Sequence, residues 1–319
     1  MLYLLVFFSA ILGTYFIREV ALKKELLDHP NERSSHTAPT PKGGGLAIMV
    51  TFYLALGYLY FIHAVDARLF FALLSALPVI VVSLIDDIRP LSAKVRFSFQ
   101  FFSGLLALYA LGGVETLNFS LFNVNGIWLN VIALVGIVWM TNLYNFLDGI
   151  DGYAAGEALF VALAIFLLFG NILTLILALS VAGFLLFNWH KASIFMGDVG
   201  SAPLGFIFAI LMLYDANSPH FLAWLILLSL FWFDATYTLI RRALNREKLS
   251  QAHKKHLYQR LNQAGFSHDK VVLMGLVFNL GLLLMLFLLP ENLYFYLFSL
   301  LLVLLYGLTK VVDRLKAFS

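Results

Sequence analysis

The chain has 319 residues, 61% apolar and only 12% charged, with a formal net charge of +3 and no cysteine. A soluble domain is about half apolar and about a quarter charged, so this composition excludes a soluble enzyme, a disordered chain and a nucleic-acid binder. The missing cysteines exclude disulfides, iron–sulfur clusters, cysteine-ligated zinc and a thiol nucleophile.

The apolar residues fall in long continuous runs, not in the short alternating segments of an outer-membrane barrel. This predicts an all-α polytopic membrane protein with 10 or 11 transmembrane helices, since one span takes about 20 apolar residues. The runs lie near 2–20, 44–63, 68–85, 95–112, 127–146, 157–170, 172–189, 202–214, 220–240, 271–289 and 292–309. The first run has no basic stretch before it, and Arg18, Lys23 and Lys24 follow it instead. It therefore reads as a membrane helix and not as a cleaved signal peptide. No repeat or low-complexity linker divides the chain, so one domain over 1–319 is expected.

Lys and Arg set the orientation. With the N-terminus outside, the inner segments run near 21–43, 86–94, 147–156, 190–201 and 241–270, with a tail from 310. Twenty of the 21 Lys and Arg fall in or beside them, and Arg68 alone lies outside. The chemically unusual residues sit in the same loops, which predicts an active site formed by cytoplasmic loops. The outer loops are short, except that 113–126 has room for a small hairpin.

In chain order, the first inner loop carries Asp28, Pro30, Asn31, Arg33, His36, Pro41, Lys42 and Gly43-Gly44-Gly45. Proline and glycine at this density preclude helix. The loop offers Arg33, His36 and Lys42 to an anion, and glycine N–H groups beside them; a solvated positive-inside loop would look the same. Asp86 and Asp87 close the third run, followed by Leu91, Ser92, Lys94, Arg96 and Gln100. Adjacent carboxylates at a membrane boundary repel each other and are costly to desolvate. A divalent cation or a basic neighbour relieves that cost, as would a helix end facing water.

The fifth run ends in Asn142, Asn145 and Asp148, then Gly149, Asp151 and Gly152. At 100° per residue the first three drift by about 60° each, forming one polar stripe. Helix–helix hydrogen bonding would explain the asparagines alone, but two aspartates with flanking glycines suit a ligand site better. Next comes Met196-Gly197-Asp198-Val199-Gly200-Ser201. A helix start there would point free N–H groups at phosphate, with Asp198 holding a cation against it; simple capping by Asp198 or Ser201 is the alternative. The last inner loop holds His253-Lys254-Lys255-His256 and Arg260. It suits an anionic ligand or anionic lipid better than zinc. Asp234, inside the ninth run, serves either function or pairing within the bundle. His63, His190, His220 and His268 read as interfacial residues.

These motifs, in this order, resemble the polyprenyl-phosphate N-acetylhexosamine-1-phosphate transferases of glycosyltransferase family 4. That group includes enzymes initiating O-antigen and common-antigen synthesis and the MurNAc-pentapeptide translocase. The resemblance spans nearly the whole chain: the Asp28–Gly45 loop, the Asp86-Asp87 pair with Arg96 and Gln100, Asn142 to Gly152, Met196 to Ser201, and Asp234 with Arg241-Arg242. The last loop departs from the family, reading His-Lys-Lys-His where the MurNAc-pentapeptide subgroup has a run of histidines. The resemblance implies transfer of a hexosamine 1-phosphate (GlcNAc, or a 6-deoxy relative such as FucNAc or QuiNAc) from a UDP-sugar to undecaprenyl phosphate, releasing UMP. The MurNAc-pentapeptide activity is the alternative. The resemblance further implies Mg²⁺, or Mn²⁺, on Asp198 and Asp87, and catalytic roles for Asp86, Asp87, Asp148 and Asp151. Substrate contacts would come from Arg33, His36, Lys42, Lys94, Arg96, Asn142, Asn145, His253 and His256. The implied setting is a bacterial inner membrane, where a homodimer is left open. A transporter is the rival from another class, but it needs polar residues near the midplane, and here they gather at one face.

Overall fold

The computed structural model describes residues 1–30, 38–249, 251 and 253–318. Every apolar run is helical. In chain order the helices are α1 (Leu2–Lys23), α2 (Gly45–Phe61), α3 (Ala67–Leu74), α4 (Leu77–Ile88), α5 (Ala93–Leu111), α6 (Leu129–Phe146) and α7 (Tyr153–Phe169). There follow α8 (Ile172–Asn188), α9 (Asp198–Tyr214), α10 (His220–Leu227), α11 (Ser229–Leu244), α12 (Leu257–Gln263), α13 (His268–Leu288) and α14 (Tyr294–Leu315). Two predicted runs are interrupted. α3 and α4 form one apolar stretch, Ala67–Ile88, while α10 and α11 meet at a bend of 64°.

Five helices, or six counting the bent pair as one span, are long and apolar enough to cross a membrane by length and composition. The chain is thus a multi-pass membrane protein. Helices α2, α7, α8 and α9 have 17 residues each, about 26 Å at 1.5 Å per residue. That is slightly short of a hydrocarbon core of about 30 Å. The most central of them, α9, is buried from Val199 to Leu213 and packs against α6, α4 and α2. It meets protein, not lipid, on nearly every side. The outer helices behave oppositely: α1 and α14 expose rows of large apolar residues such as Leu4, Phe8, Leu12 and Val303, as lipid-facing helices must.

Two short antiparallel pairs complete the described structure. β1 (Leu27–Asp28) pairs with β2 (Thr40–Pro41), and β3 (Thr116–Asn118) pairs with β4 (Asn123–Asn125) in the predicted hairpin. The hairpin sits at the end of the bundle opposite the acidic loops, where the Asn118 N–H donates to Ala216 O. At the other end meet the last turns of α4, α6 and α8 and the first turns of α5, α7, α9 and α13. The side-chain bonds described next join them.

Candidate active site

The site begins with a close approach of two backbones. A Cβ on Gly45 would collide with Gly200 Cα, and one on Gly200 with Gly45 Cα, so the start of α2 meets the first turn of α9 at a distance only glycine allows. The Gly44 and Gly45 N–H groups donate to Phe195 and Met196 carbonyls at 3.0 and 2.9 Å, tying the β2–α2 turn to the strand of chain before α9. Gly197 then takes φ +74, a left-handed value, and a side chain there would press on the Asp87 carboxylate.

Asp87 itself caps α9. Its Oδ1 accepts the Asp198 N–H at 3.1 Å and its Oδ2 the Val199 N–H at 3.0 Å. This corrects one expectation: the free N–H groups predicted for phosphate at this helix start are already taken, and by a carboxylate from another helix. The gain is geometric, because Asp87 fixes the backbone of Asp198.

Arg96, one turn into α5, bridges two acids. Its Nη1 donates to Asp86 at 2.9 Å and to Asp198 at 3.1 Å. Asp86 is further held by the Leu91 N–H, and the Asp86 and Asp198 carboxyls lie against each other. The second oxygen of Asp198 accepts from Asn145 Nδ2 at 2.8 Å, and the same amide donates to Ser201 Oγ at 3.0 Å. One cation is thus shared by two carboxylates, and the charge of Lys42 also reaches Asp87.

Asp148 lies beyond the end of α6 and not on its last turn as the stripe predicted. It is only partly exposed. Burial, with the charges of Asp198, Asp87 and Asp151, pushes its carboxyl up to about 8. The loop that carries it is fixed from behind. Tyr258 Oη donates to Phe146 O at 3.1 Å and lies where a Gly149 side chain would be. Gly152, at φ +72, starts α7 with its N–H on Asn188 Oδ1 at 3.1 Å. The two glycines predicted to face a ligand therefore serve packing and the turn.

The four carboxyl groups outnumber the two cations, Arg96 and Lys42, that reach them. The donors are all oxygens, which suits a hard cation such as Mg²⁺. Such an ion keeps several waters and takes one or two protein carboxylates plus substrate phosphates, so a tight ring of ligands is not required. Asp198 and Asp86 fit that part best. All three carboxylates are hydrogen-bonded on both oxygens, but those of Asp87 are held by the fixed backbone N–H groups of α9, whereas Asp198 is held by the side chains of Arg96 and Asn145. The expected place of Asp87 as a metal ligand is therefore less direct.

Other predicted residues are placed elsewhere. Asn142 turns to Gln100, donating to its Oε1 at 2.6 Å, while Lys94 is exposed at the rim. His256 does not share a helix face with His253: the segment 253–256 is not helical, and His256 is the residue before α12. It is 2% exposed and sits 3.4 Å from Asp234, which also accepts the Leu257 N–H and the Thr238 hydroxyl. Asp234 thus pairs within the bundle and orders the loop. His253 lies beside His256 with ring centroids 4.8 Å apart. Burial, then the charges of His256 and Arg242, lower its pKa to about 4, so it is a neutral donor at physiological pH. Arg33 and His36 lie outside the described residues.

Asp151 turns its carboxylate to two histidines, although its charge still reaches Asp148. Its Oδ2 lies 3.1 Å from His190 Nδ1 and 3.3 Å from His268 Nδ1. Desolvation raises its pKa, but the two histidines outweigh that and hold it below the usual carboxylate value. His268 is buried and not an interfacial residue as predicted; His190 is exposed, just past the end of α8, and bonds the same carboxylate from the open side. The available signal was their position, since His190 opens an inner loop and His268 follows the last one. They border a cavity of about 360 Å³ that Lys191, Phe195, Asn262 and Ser267 also line.

An apolar bundle with a polar, acid-rich site at one end defines an integral membrane protein built to act at the bilayer edge. The chain belongs to glycosyl transferase family 4, whose family model matches residues 69–215. It is 32% identical over 295 residues to the probable undecaprenyl-phosphate N-acetylglucosaminyl 1-phosphate transferase of Bacillus subtilis, covering 86% of this chain and 81% of that one. It is 30% identical over 320 residues to the decaprenyl-phosphate N-acetylglucosaminephosphotransferase of Mycobacterium tuberculosis, covering 84% and 78%. To the undecaprenyl-phosphate alpha-N-acetylglucosaminyl 1-phosphate transferase of Escherichia coli it is 26% identical over 287 residues, covering 82% and 76%.

Proposed function

We propose that this protein transfers N-acetylhexosamine 1-phosphate from a UDP-sugar to undecaprenyl phosphate, releasing UMP, at the cytoplasmic face of a bacterial inner membrane. The observation that carries the reading is the set Asp86, Asp87, Asp148 and Asp198 around Arg96 at the end of a lipid-facing bundle. A lipid phosphate reaches such a site from the side and a nucleotide from the water. The names of the relatives favour GlcNAc as the sugar over its 6-deoxy relatives.

In this reading an oxygen of the lipid phosphate attacks the sugar-linked phosphorus of the donor. A new P–O bond forms, the bond to the UMP phosphate breaks, and UMP leaves. A phosphate monoester loses its second proton near pH 6, so the attacking oxygen needs orientation more than deprotonation. Asp86 is the orienting group closest to Arg96, and Asp148 is the carboxyl suited to hold a proton near neutral pH. Arg96 and Lys42 bind phosphate charge, and Asn145 fixes the Asp198 carboxylate. Mg²⁺ on Asp198 and Asp86, or Mn²⁺ in its place, would neutralise the diphosphate as its charge builds. The cavity beside Asp151 and Phe195 is large enough for a nucleoside.

The test is UMP release by purified protein given undecaprenyl phosphate and, in turn, the UDP derivatives of GlcNAc, GalNAc, FucNAc and QuiNAc. Release that requires both the lipid phosphate and a divalent cation is expected, fastest with GlcNAc. No release with any donor would end this reading.

A further inference from the structure

The Asp151–His190–His268 group is not explained by phosphate transfer. Two loops and the first residue of α13 bring these side chains together, and their three ligating atoms lie within 4.8 Å of one another. Asp151 is 9% and His268 6% exposed, whereas His190 stands at the open side, on the wall of the 360 Å³ cavity. Hydrogen bonding alone leaves a conflict. His268 Nδ1 lies 3.3 Å from the Asp151 N–H and also 3.3 Å from the Asp151 carboxylate. A lone pair on Nδ1 accepts from the first and repels the second, and a proton there does the reverse.

We propose that Asp151, His190 and His268 form a second cation site, selective for a divalent transition ion of the Zn²⁺ type. Two imidazole nitrogens and one carboxylate oxygen are the donor set that such ions prefer and that Mg²⁺ disfavours. Tetrahedral zinc with bonds of about 2.0–2.1 Å sets its ligand atoms about 3.3 Å apart. The two nitrogen–oxygen separations, 3.1 and 3.3 Å, match that spacing. All three side chains line the cavity, which leaves room there for a further ligand such as water. The oxygen-only acid group around Arg96 is chemically distinct, so the two sites sort cations by donor type. An ion here sits on the wall of the cavity that Lys191 and Phe195 also line, where the nucleoside of the proposed donor would lie. Where the proposed transfer reaction holds, it follows that micromolar transition metal inhibits while Mg²⁺ supports.

The test uses Co²⁺ as a coloured stand-in for zinc, added to the purified full-length protein in detergent with excess Mg²⁺ present. The expected result is a visible absorption spectrum typical of nitrogen-ligated, low-coordinate cobalt, bleached by one equivalent of Zn²⁺ and insensitive to Mg²⁺. His190→Ala, at an exposed position, should weaken Co²⁺ binding by about tenfold or more, and His268→Ala should do the same. Asp198→Asn should leave the spectrum intact, because that change touches only the acid group. Equal Co²⁺ binding by wild type and His190→Ala would mean a hydrogen-bonded carboxylate only, and would overturn the proposal. So would displacement by Mg²⁺ or loss of the spectrum in Asp198→Asn. None of these readouts depends on the transfer reaction, so failure of one reading is separable from failure of the other.

Discussion

Asp198 takes a hydrogen bond on each oxygen, from Arg96 and from Asn145. In Asp198→Asn one of these donors would face an N–H₂ group, and the negative charge would be lost. UMP release should fall by about 10²-fold or more, while the melting temperature in detergent changes little because the backbone contact to Asp87 remains. Full activity in that variant would remove Asp198 from the cation site. Asp87→Asn should behave differently. An amide keeps one acceptor oxygen for two N–H groups of α9, so a charge-assisted bond of about 1–3 kcal/mol is lost, and stability should fall along with activity. Asp148 predicts a pH dependence. Its carboxyl titrates near 8 in the folded protein, above the unfolded value, so folding binds this proton. In metal-free protein that contribution to stability is complete below the usual carboxylate range and is lost as pH rises towards 8. Thermal melts between about pH 5 and 9 should show the decline, and Asp148→Asn should make it shallower. The sequence revealed these acids because a carboxylate is conspicuous in an apolar chain. It could not reveal that Asp87 caps a helix that starts 111 residues later, since nothing local to either residue encodes the pairing.

Helices α2 and α9 cross where Gly45 and Gly200 touch, and the crossing sets the height of Asp198 in the site. Gly45→Ala should push the two backbones apart, at a cost of about 1–3 kcal/mol typical of overpacking. Its melting temperature and UMP release should therefore drop together. Gly57→Ala lies on the same helix with no atom within 4 Å of the added carbon, and it should change neither. If Gly45→Ala retained both properties, the glycine contact would not position α9. At this scale the sequence was informative wherever apolar length was the signal, as in all eleven runs. It was silent where a helix breaks within an apolar run, at Ser75–Ala76 and, with a 64° bend, at Leu228, because the residues on both sides of each break look alike to a solvent-transfer argument. Helix α12 was hidden for the opposite reason. It is short and lies in a polar loop, and its order comes from Tyr258 on Phe146, His256 on Asp234, and Arg260 on Asp313.

At the scale of the whole molecule, the sidedness of charge makes a claim about topology. Among the described residues, nineteen of 20 basic residues lie at or beside the end that holds Asp86, Asp148 and Asp198, against Arg68 at the other. The positive-inside tendency predicts that this end faces the cytoplasm, the side where a nucleotide-sugar donor would be available. The absence of native cysteine makes this directly measurable, because each introduced thiol is the only one in the chain. Asn123→Cys lies in the hairpin, and Glu291→Cys lies in the turn between α13 and α14 at the same end. Lys24→Cys and Lys248→Cys lie at the acidic end. All four positions are exposed. A membrane-impermeant maleimide added to intact cells should label Asn123→Cys and Glu291→Cys, and should reach Lys24→Cys and Lys248→Cys only after the membrane is opened. The reverse pattern would put the acid group on the outer face, away from the cytoplasmic donor. In that case transfer of a nucleotide-linked sugar phosphate could not be the reaction, whatever the acids can hold.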